Sequence, residues 1–379
     1  MSVPTATAEV RVAGFCEPAL SPVAGALARA VAEHPERGAA IAVYRDGVPV
    51  VDLRAGASYE RDPRQLVFSA AKAVTAVAAQ IAAERGELDL DQPVAEYWPA
   101  FRRAATRTIT ARTVLAHRAG LPAVDGPITV ADVVGTGLEE ALERQEPYWE
   151  PGSAHGYHTI TFGTLVDGIL RRAVGSTVAE YTIRHLTAPL GLSLAFGEAD
   201  APDVAPVVSR GEAEIAMAAS GVTPGGPLLD AAGFGLLTDP TVFNSGPLAG
   251  ADLPAVGLVA HARDLARLLA ATCGEVDGMR VLGPAGLAQL RRPYSVGIDR
   301  VSGEPSRFGA GVALPSPRLP FLGPGSFGHD GHGGCLVAAH PETATTVAFT
   351  TDALPRVGGA STGASALMAT VRHCLEGSG

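Results

Sequence analysis

Ser69 and Lys72 stand three residues apart in Phe68-Ser69-Ala70-Ala71-Lys72. Residues at i and i+3 share one helix face, so this spacing lets the lysine amine reach the serine hydroxyl. A neutral amine there takes the hydroxyl proton as the oxygen attacks a carbonyl, which is serine acyl-transfer chemistry. The Ala- and Val-rich surroundings desolvate the amine and lower its pKa. A serine opening a helix also lies near backbone N–H groups and the positive end of the dipole, which favour negative charge. The Ser-x-x-Lys pattern alone occurs by chance in many chains. Composition adds weight: of 29 Lys and Arg residues, 28 are arginine, and Lys72 is the only lysine. Arginine keeps its proton inside proteins whereas a buried lysine can release it. The chain has therefore kept an amine at the one position where a base is wanted.

These residues need a helix beneath them and a sheet beside them. From Ser69 to Arg85 the pattern is helical, with Ala71, Val74, Ala78 and Ile81 on one face and Gly86 at the C-cap. Upstream, Ile41 to Arg54 alternates about Asp46-Gly47, a hairpin signal, after a helix over Val23–Ala32. Helices are expected over Ala111–His117, Leu138–Glu143, Ile160–Val174, Val178–Leu186, Ala262–Ala271 and Ser365–Leu375. Phe308–Leu314, Gly334–His340 and Thr345–Asp352 read as strands, the last two joined by a Pro341-Glu-Thr turn. Asp200–Ala251 is rich in Gly, Pro and Ala and reads as pocket loops with a short helix near Glu212–Ala218. Strands at both ends around a helical middle give an α/β (α+β) chain. Residues 1–75 and 252–379 form a discontinuous sandwich domain, and 76–251 a mostly helical subdomain.

The composition excludes several classes. Hydrophobic residues make up 47% and charged residues 18% of 379, as in a compact globule. A net charge of -10 without a Lys/Arg cluster argues against nucleic acid. The N-terminus reads as no signal peptide, and no apolar run reaches membrane-span length. Cys16, Cys273, Cys335 and Cys374 are far apart and read as separate thiols in a reducing compartment, so a cytoplasmic location is expected.

Phe68-Ser69-Ala70-Ala71-Lys72, with Gly86-Glu-Leu-Asp-Leu-Asp-Gln-Pro-Val downstream, resembles the serine β-lactamase and penicillin-binding-protein superfamily. The resemblance is nearest to class C β-lactamases and family VIII carboxylesterases. Thr113-Val-Leu-Ala-His-Arg-Ala-Gly-Leu-Pro122 and Pro151-Gly-Ser-Ala-His-Gly-Tyr157-His-Thr-Ile-Thr-Phe-Gly163 are similar to later stretches of that family. It implies a β-lactamase/transpeptidase-like fold, an antiparallel sheet flanked by helices plus a mostly helical subdomain. It implies that Tyr157 bonds to the nucleophile and relays its proton. Thr159 stands where the family's Y-x-N carries Asn, and His329-Asp330-Gly331 matches its third motif, with histidine in place of lysine. That replacement is more esterase-like than β-lactamase-like. The implied oxyanion hole is the backbone N–H of Ser69 and of His332, the latter on the following strand. His158, Thr159, His329, Asp330 and Gly331 are the implied substrate-binding residues. Where esterase-like relatives carry Asn-Gly near Pro254, this chain has Val256-Gly257-Leu258.

Competing patterns are weaker. Gly359-Ala360-Ser361-Thr362-Gly363 matches G-x-S-x-G, but an acid and then a histidine must follow the serine, and only His373 and Glu376 remain, reversed. His155-x-x-His158 and His329-x-x-His332 lack a carboxylate at ligand spacing and a helical H-E-x-x-H, so no metal is expected. No P-loop, dinucleotide fingerprint or pyridoxal-phosphate loop is present, so no cofactor is expected. An inactive penicillin sensor would have lost Ser69, Lys72 or Tyr157. The expectation is an acyl-enzyme on Ser69 formed from a small-molecule ester or amide. Water as acceptor gives a carboxylesterase; an amine or alcohol acceptor gives a transacylase of secondary-metabolite (antibiotic) biosynthesis. β-Lactam turnover is expected to be slow.

Overall fold

Alternation in Ile41–Arg54 builds the central hairpin. Strands β2 (Ala39–Arg45) and β3 (Val48–Ala55) are joined by Asp46 at φ +51° and Gly47 at φ +77°, the two left-handed positions of a type I′ turn. In this computed structural model, which describes residues 10–32, 37–208, 240–352 and 362–376, the hairpin sits within a six-stranded antiparallel sheet. β1 (Val12–Cys16) lies outside β3. The other flank of β2 is completed by the C-terminal part of the chain, in the order β2, β12 (Thr345–Thr351), β11 (Leu336–His340), β10 (Phe327–Asp330).

Side chains alternate across this sheet with period two, and both faces are covered. Ile41, Val43, Leu336, Ala338, Val347 and Phe349 meet helix α1 (Pro22–Val31) and the terminal helix Thr362–Glu376. Ala40, Ala42, Tyr44, Val337, Ala339 and Ala348 join the larger core around the helix Ala262–Cys273 and helix α2 (Ala71–Glu84). β2 is therefore buried along almost its whole length.

Three shorter features frame the site. β4 (Arg64–Leu66), β5 (Ala195–Phe196), β6 (Val204–Ala205) and β7 (Leu258–Ala260) form a small sheet ordered β5-β7-β4-β6. It delivers the chain to Ser69. β8 (Ser295–Ile298) and β9 (Pro305–Phe308) form a separate hairpin. The helices Ala111–Leu115, Gly137–Arg144, Thr161–Val174 and Val178–Thr182, the last extended by a π turn over Ile183–Thr187, make the middle of the chain helical as expected.

One expectation needs correction. Phe308–Leu314 is not a strand: β9 ends at Phe308, and the chain turns through Gly309 and Gly311. A Cβ at 309 would lie 2.2 Å from the Leu290 carbonyl oxygen, and one at 311 would lie 2.6 Å from the Ala76 Cβ. Gly309 thus serves close approach to the end of the helix Pro284–Leu290, and Gly311 close approach to α2. Helix α2 is buried on all sides along most of its length. Every residue from Ala71 to Ala82 is buried, Lys72, Thr75 and Gln80 included, because the sheet and the middle helices wrap it. The expected helix near Glu212–Ala218 and Ser361 lie outside the described residues; Thr362 and Gly363 begin the terminal helix. Among the described residues no helix is long and apolar enough to cross a membrane, and none of the four cysteines is in a disulfide.

Candidate active site

The chain leaves β4 and makes one 3-10 turn, Phe68–Ala70, before α2 begins at Ala71. Ser69 lies in that turn, two residues before α2 opens. Phe68 just before it has φ +49°, a left-handed conformation unusual for an aromatic residue. Such a backbone costs on the order of 1–3 kcal/mol and persists only when its surroundings hold it. Here the fully buried Phe68 ring meets Phe243 at 5.5 Å and His332 at 6.0 Å, both edge-on. The strain turns the chain sharply enough to leave Ser69 at the helix mouth, 6% exposed.

Lys72 is completely buried. Its amine donates to Ser69 Oγ at 3.2 Å and to the Ala255 carbonyl at 3.2 Å. That carbonyl is pinned from two sides. Thr75 donates to the neighbouring Pro254 carbonyl at 2.7 Å, and Gly163 sits so close that a Cβ there would fall 2.6 Å from the Ala255 nitrogen. Burial drives the Lys72 pKa well below its ordinary value, with the Asp330 charge acting in the opposite direction. A neutral amine in this geometry keeps one N–H on Ala255 and turns its lone pair to the Ser69 hydroxyl, as a general base requires.

Tyr157 closes the other side. Its ring lies with the Lys72 amine 4.9 Å from the centroid, 5.0 Å from the His117 ring, and stacked on Phe308 at 6.0 Å and 18°. Burial raises the Tyr157 pKa, and the Ser69 hydroxyl draws it down. The phenol thus holds its proton near neutrality and can hand it on.

Among the sequence-predicted binding residues, the structure separates those with spare polar atoms from those already engaged. Thr159 Oγ1 and His329 Nε2 are buried and find no hydrogen-bond partner among the described residues. His329 Nδ1 is taken by the Asp330 carbonyl at 2.7 Å. Burial lowers the His329 pKa to about 4, so the imidazole is neutral at pH 7. His158 is different: Nε2 accepts from the Leu121 N–H at 3.1 Å and Nδ1 lies 2.7 Å from the Gly156 carbonyl. Both ring nitrogens are engaged by backbone groups of the protein. The Asp330 carboxylate is likewise gripped by Arg318, at 2.9 and 3.3 Å. Gly331 has a packing reason, because a Cβ there would fall 2.1 Å from the Val67 carbonyl oxygen, beside the turn bearing Ser69. His332 does not lie on a strand; β10 ends at Asp330, and His332 sits in the turn in which Gly334 N–H bonds the Gly331 carbonyl at 2.9 Å. Its ring contact with Phe68 brings that turn against the one bearing Ser69. Among the described residues no His, Cys, Asp and Glu side chains gather as a metal site.

Several contributors escaped the sequence reading. The Ala255 carbonyl is a backbone group 183 residues from Lys72. Phe68 carries its information in a dihedral angle. His117 accepts the His158 N–H on Nδ1 at 3.1 Å. Arg318, with a side chain 57% exposed, stands at the edge of the site in a loop without a motif. Only Phe68 and His117 stand within stretches that the sequence marked, Phe68–Lys72 and Thr113–Pro122.

The Beta-lactamase family model matches residues 24–370. The chain is 35% identical to the esterase/β-lactamase LipL of Mycobacterium tuberculosis over 364 residues, 89% of this chain and 82% of LipL. Among solved structures, a penicillin-binding-protein homolog from Caulobacter crescentus has a TM-score of 0.85 at 27% identity, covering 96% of this chain and all of that one. A family VIII carboxylesterase has the same TM-score and coverages at 23% identity, a likeness of fold. The six-stranded sheet with its helical companion is thus the β-lactamase/transpeptidase fold. The chain belongs to the Beta-lactamase family and is an enzyme of its serine hydrolase and acyltransferase kind.

Proposed function

We propose that the protein is a carboxylesterase in which Ser69 attacks an ester carbonyl, Lys72 takes the serine proton, and Tyr157 relays it to the departing alcohol. Water then clears the acyl group. The observation that carries this reading is the buried Lys72 amine, 3.2 Å from Ser69 Oγ and with its pKa driven down by burial. An intact general base adds about 10²–10⁴ in rate. Backbone N–H groups of Ser69 and His332 are assigned to the oxyanion, each worth about 10²–10³.

A neutral ester is favoured over a carboxylated β-lactam on electrostatic grounds. His329 is neutral at pH 7, and the Arg318 guanidinium already faces the Asp330 carboxylate. An anionic substrate therefore meets compensated charges here.

Intact-protein mass spectrometry after mixing with p-nitrophenyl butyrate tests the reading, with Ser69→Ala and Lys72→Ala alongside. A transient butyryl adduct on wild type that is absent from Ser69→Ala is expected, with acylation greatly slowed in Lys72→Ala. An adduct persisting in Ser69→Ala would sink it. Repeating the reaction with added amines or alcohols tells hydrolysis from transacylation by which acceptor clears the adduct.

A further inference from the structure

The loop bearing Tyr157 has no regular secondary structure, yet its three central N–H groups are all bonded. Gly156 N–H donates to the His117 carbonyl at 3.0 Å, and His158 N–H to His117 Nδ1 at 3.1 Å. Tyr157 N–H, between them, donates at 3.1 Å to Oδ1 of Asp299, a residue 142 positions away and 1% exposed. The same oxygen accepts from Val301 N–H at 2.9 Å and Ser302 N–H at 3.0 Å, so it lies inside the turn joining β8 to β9. Oδ2 accepts the Ser306 hydroxyl at 3.3 Å, and Ser306 Oγ lies 2.9 Å from His155 Nε2. A further strut runs from Arg300 N–H to the His155 carbonyl at 3.0 Å.

We propose that Asp299 is a positioning residue for Tyr157: its buried carboxylate ties the tyrosine backbone to the β8–β9 hairpin and so fixes the phenol opposite Ser69. The proposal rests on the reading of Tyr157 as proton relay. Two contacts on the same hairpin give it direction. Phe308, at the end of β9, stacks on the Tyr157 ring, and Asp299, just after β8, holds the Tyr157 main chain. Backbone and ring are thus gripped by one rigid unit, leaving the phenol little freedom to swing from Ser69. A carboxylate suits the place because it has acceptor capacity for three converging N–H groups and one hydroxyl. Nothing in the sequence marks Asp299, which stands in an unremarkable Gly297-Ile298-Asp299-Arg300.

The test is steady-state hydrolysis of p-nitrophenyl butyrate by full-length wild type, Asp299→Ala, Asp299→Asn and Ser69→Ala, with thermal unfolding of each. Misplacing the relay by about 1 Å lowers kcat by about 10- to 100-fold in Asp299→Ala, with KM within about threefold of wild type. Asparagine keeps an acceptor oxygen for the three N–H groups and recovers kcat to within about fivefold of wild type. Wild-type kcat in a folded Asp299→Ala overturns the proposal. So does an Asp299→Asn as slow as Asp299→Ala, which would trace the effect to charge and not to the acceptor. Should Asp299→Ala fail to fold, Asp299→Glu decides: its acceptor is displaced by one methylene, so the kcat loss is expected there too, and wild-type kcat refutes the role. Turnover surviving in Ser69→Ala would instead remove the mechanism beneath it, a result separate from any of these.

Discussion

Gly331 and Val67 are in backbone contact: a Cβ added at 331 would stand 2.1 Å from the Val67 carbonyl oxygen. Real Cβ atoms do not approach so closely, so the turn after β10 and the turn before Ser69 must part if residue 331 gains a side chain. Gly331→Ala is expected to lower kcat/KM for p-nitrophenyl butyrate by about 100-fold, the scale of an ångström's misplacement. Steady-state kinetics of the purified variant measure it, and wild-type kcat/KM would show that the contact does not tune the site.

That contact also shows where sequence reading stops. Ser69 and Lys72 were legible because three residues of spacing on a helix is local geometry, and the single lysine made the pair conspicuous. Tyr157 and His329 were legible only through family resemblance, since nothing local joins positions 72, 157 and 329. The Ala255 carbonyl, the Arg318 guanidinium and the Asp299 carboxylate reach the site through long-range backbone placement that composition does not encode. The fold was legible where alternation or helical period dominates, as at Asp46-Gly47. It was misread at Phe308–Leu314, where Gly309 serves close approach to Leu290 and Gly311 close approach to α2, and not strand pairing. The all-round burial of α2 likewise follows from what surrounds it.

Activity is expected to fall on the acid side as Lys72 gains its proton. The Asp330 charge favours the ammonium form of Lys72, and Arg318 faces that charge from the surface. Removing the guanidinium in Arg318→Ala leaves the carboxylate less compensated and raises the Lys72 pKa. The acid limb of kcat/KM should therefore move to higher pH, by about half a unit to one unit. A pH-rate profile of both proteins checks the direction; an unmoved or lowered limb contradicts this electrostatic coupling.

Stability should be lost between pH 6.5 and 4. His158 and His329 are buried neutral, each with a pKa lowered from 6.5 to about 4, first by burial. Above pH 6.5 neither the folded nor the unfolded chain protonates them, and they contribute no pH dependence. As pH falls from 6.5 to 4 the unfolded chain binds protons that the folded one refuses. Each site then withdraws up to roughly 3 kcal/mol of folding free energy. Thermal unfolding across this range should show Tm falling with pH, and His158→Gln, where folded, should show a shallower fall.

Nitrocefin should be a poor substrate. Its carboxylate meets a neutral His329 and an Arg318 already paired with Asp330. An unmatched buried charge costs about 3 kcal/mol, or about 100-fold in kcat/KM relative to p-nitrophenyl butyrate. Spectrophotometric assays of the two substrates on one preparation measure the ratio, and comparable values would show that the site offers an anion partner after all.

The lone lysine has a consequence for handling the protein. A protease that cuts only after lysine has one target in all 379 residues, the Lys72–Ala73 bond. That bond lies in the first turn of α2, with both residues fully buried. The folded molecule thus offers such a protease nothing, and an opened one yields two fragments, 1–72 and 73–379. Each cleavage event is a count of molecules in which the helix beneath Ser69 has come apart, so the rate of fragment appearance is a built-in clock for the opening of the catalytic centre.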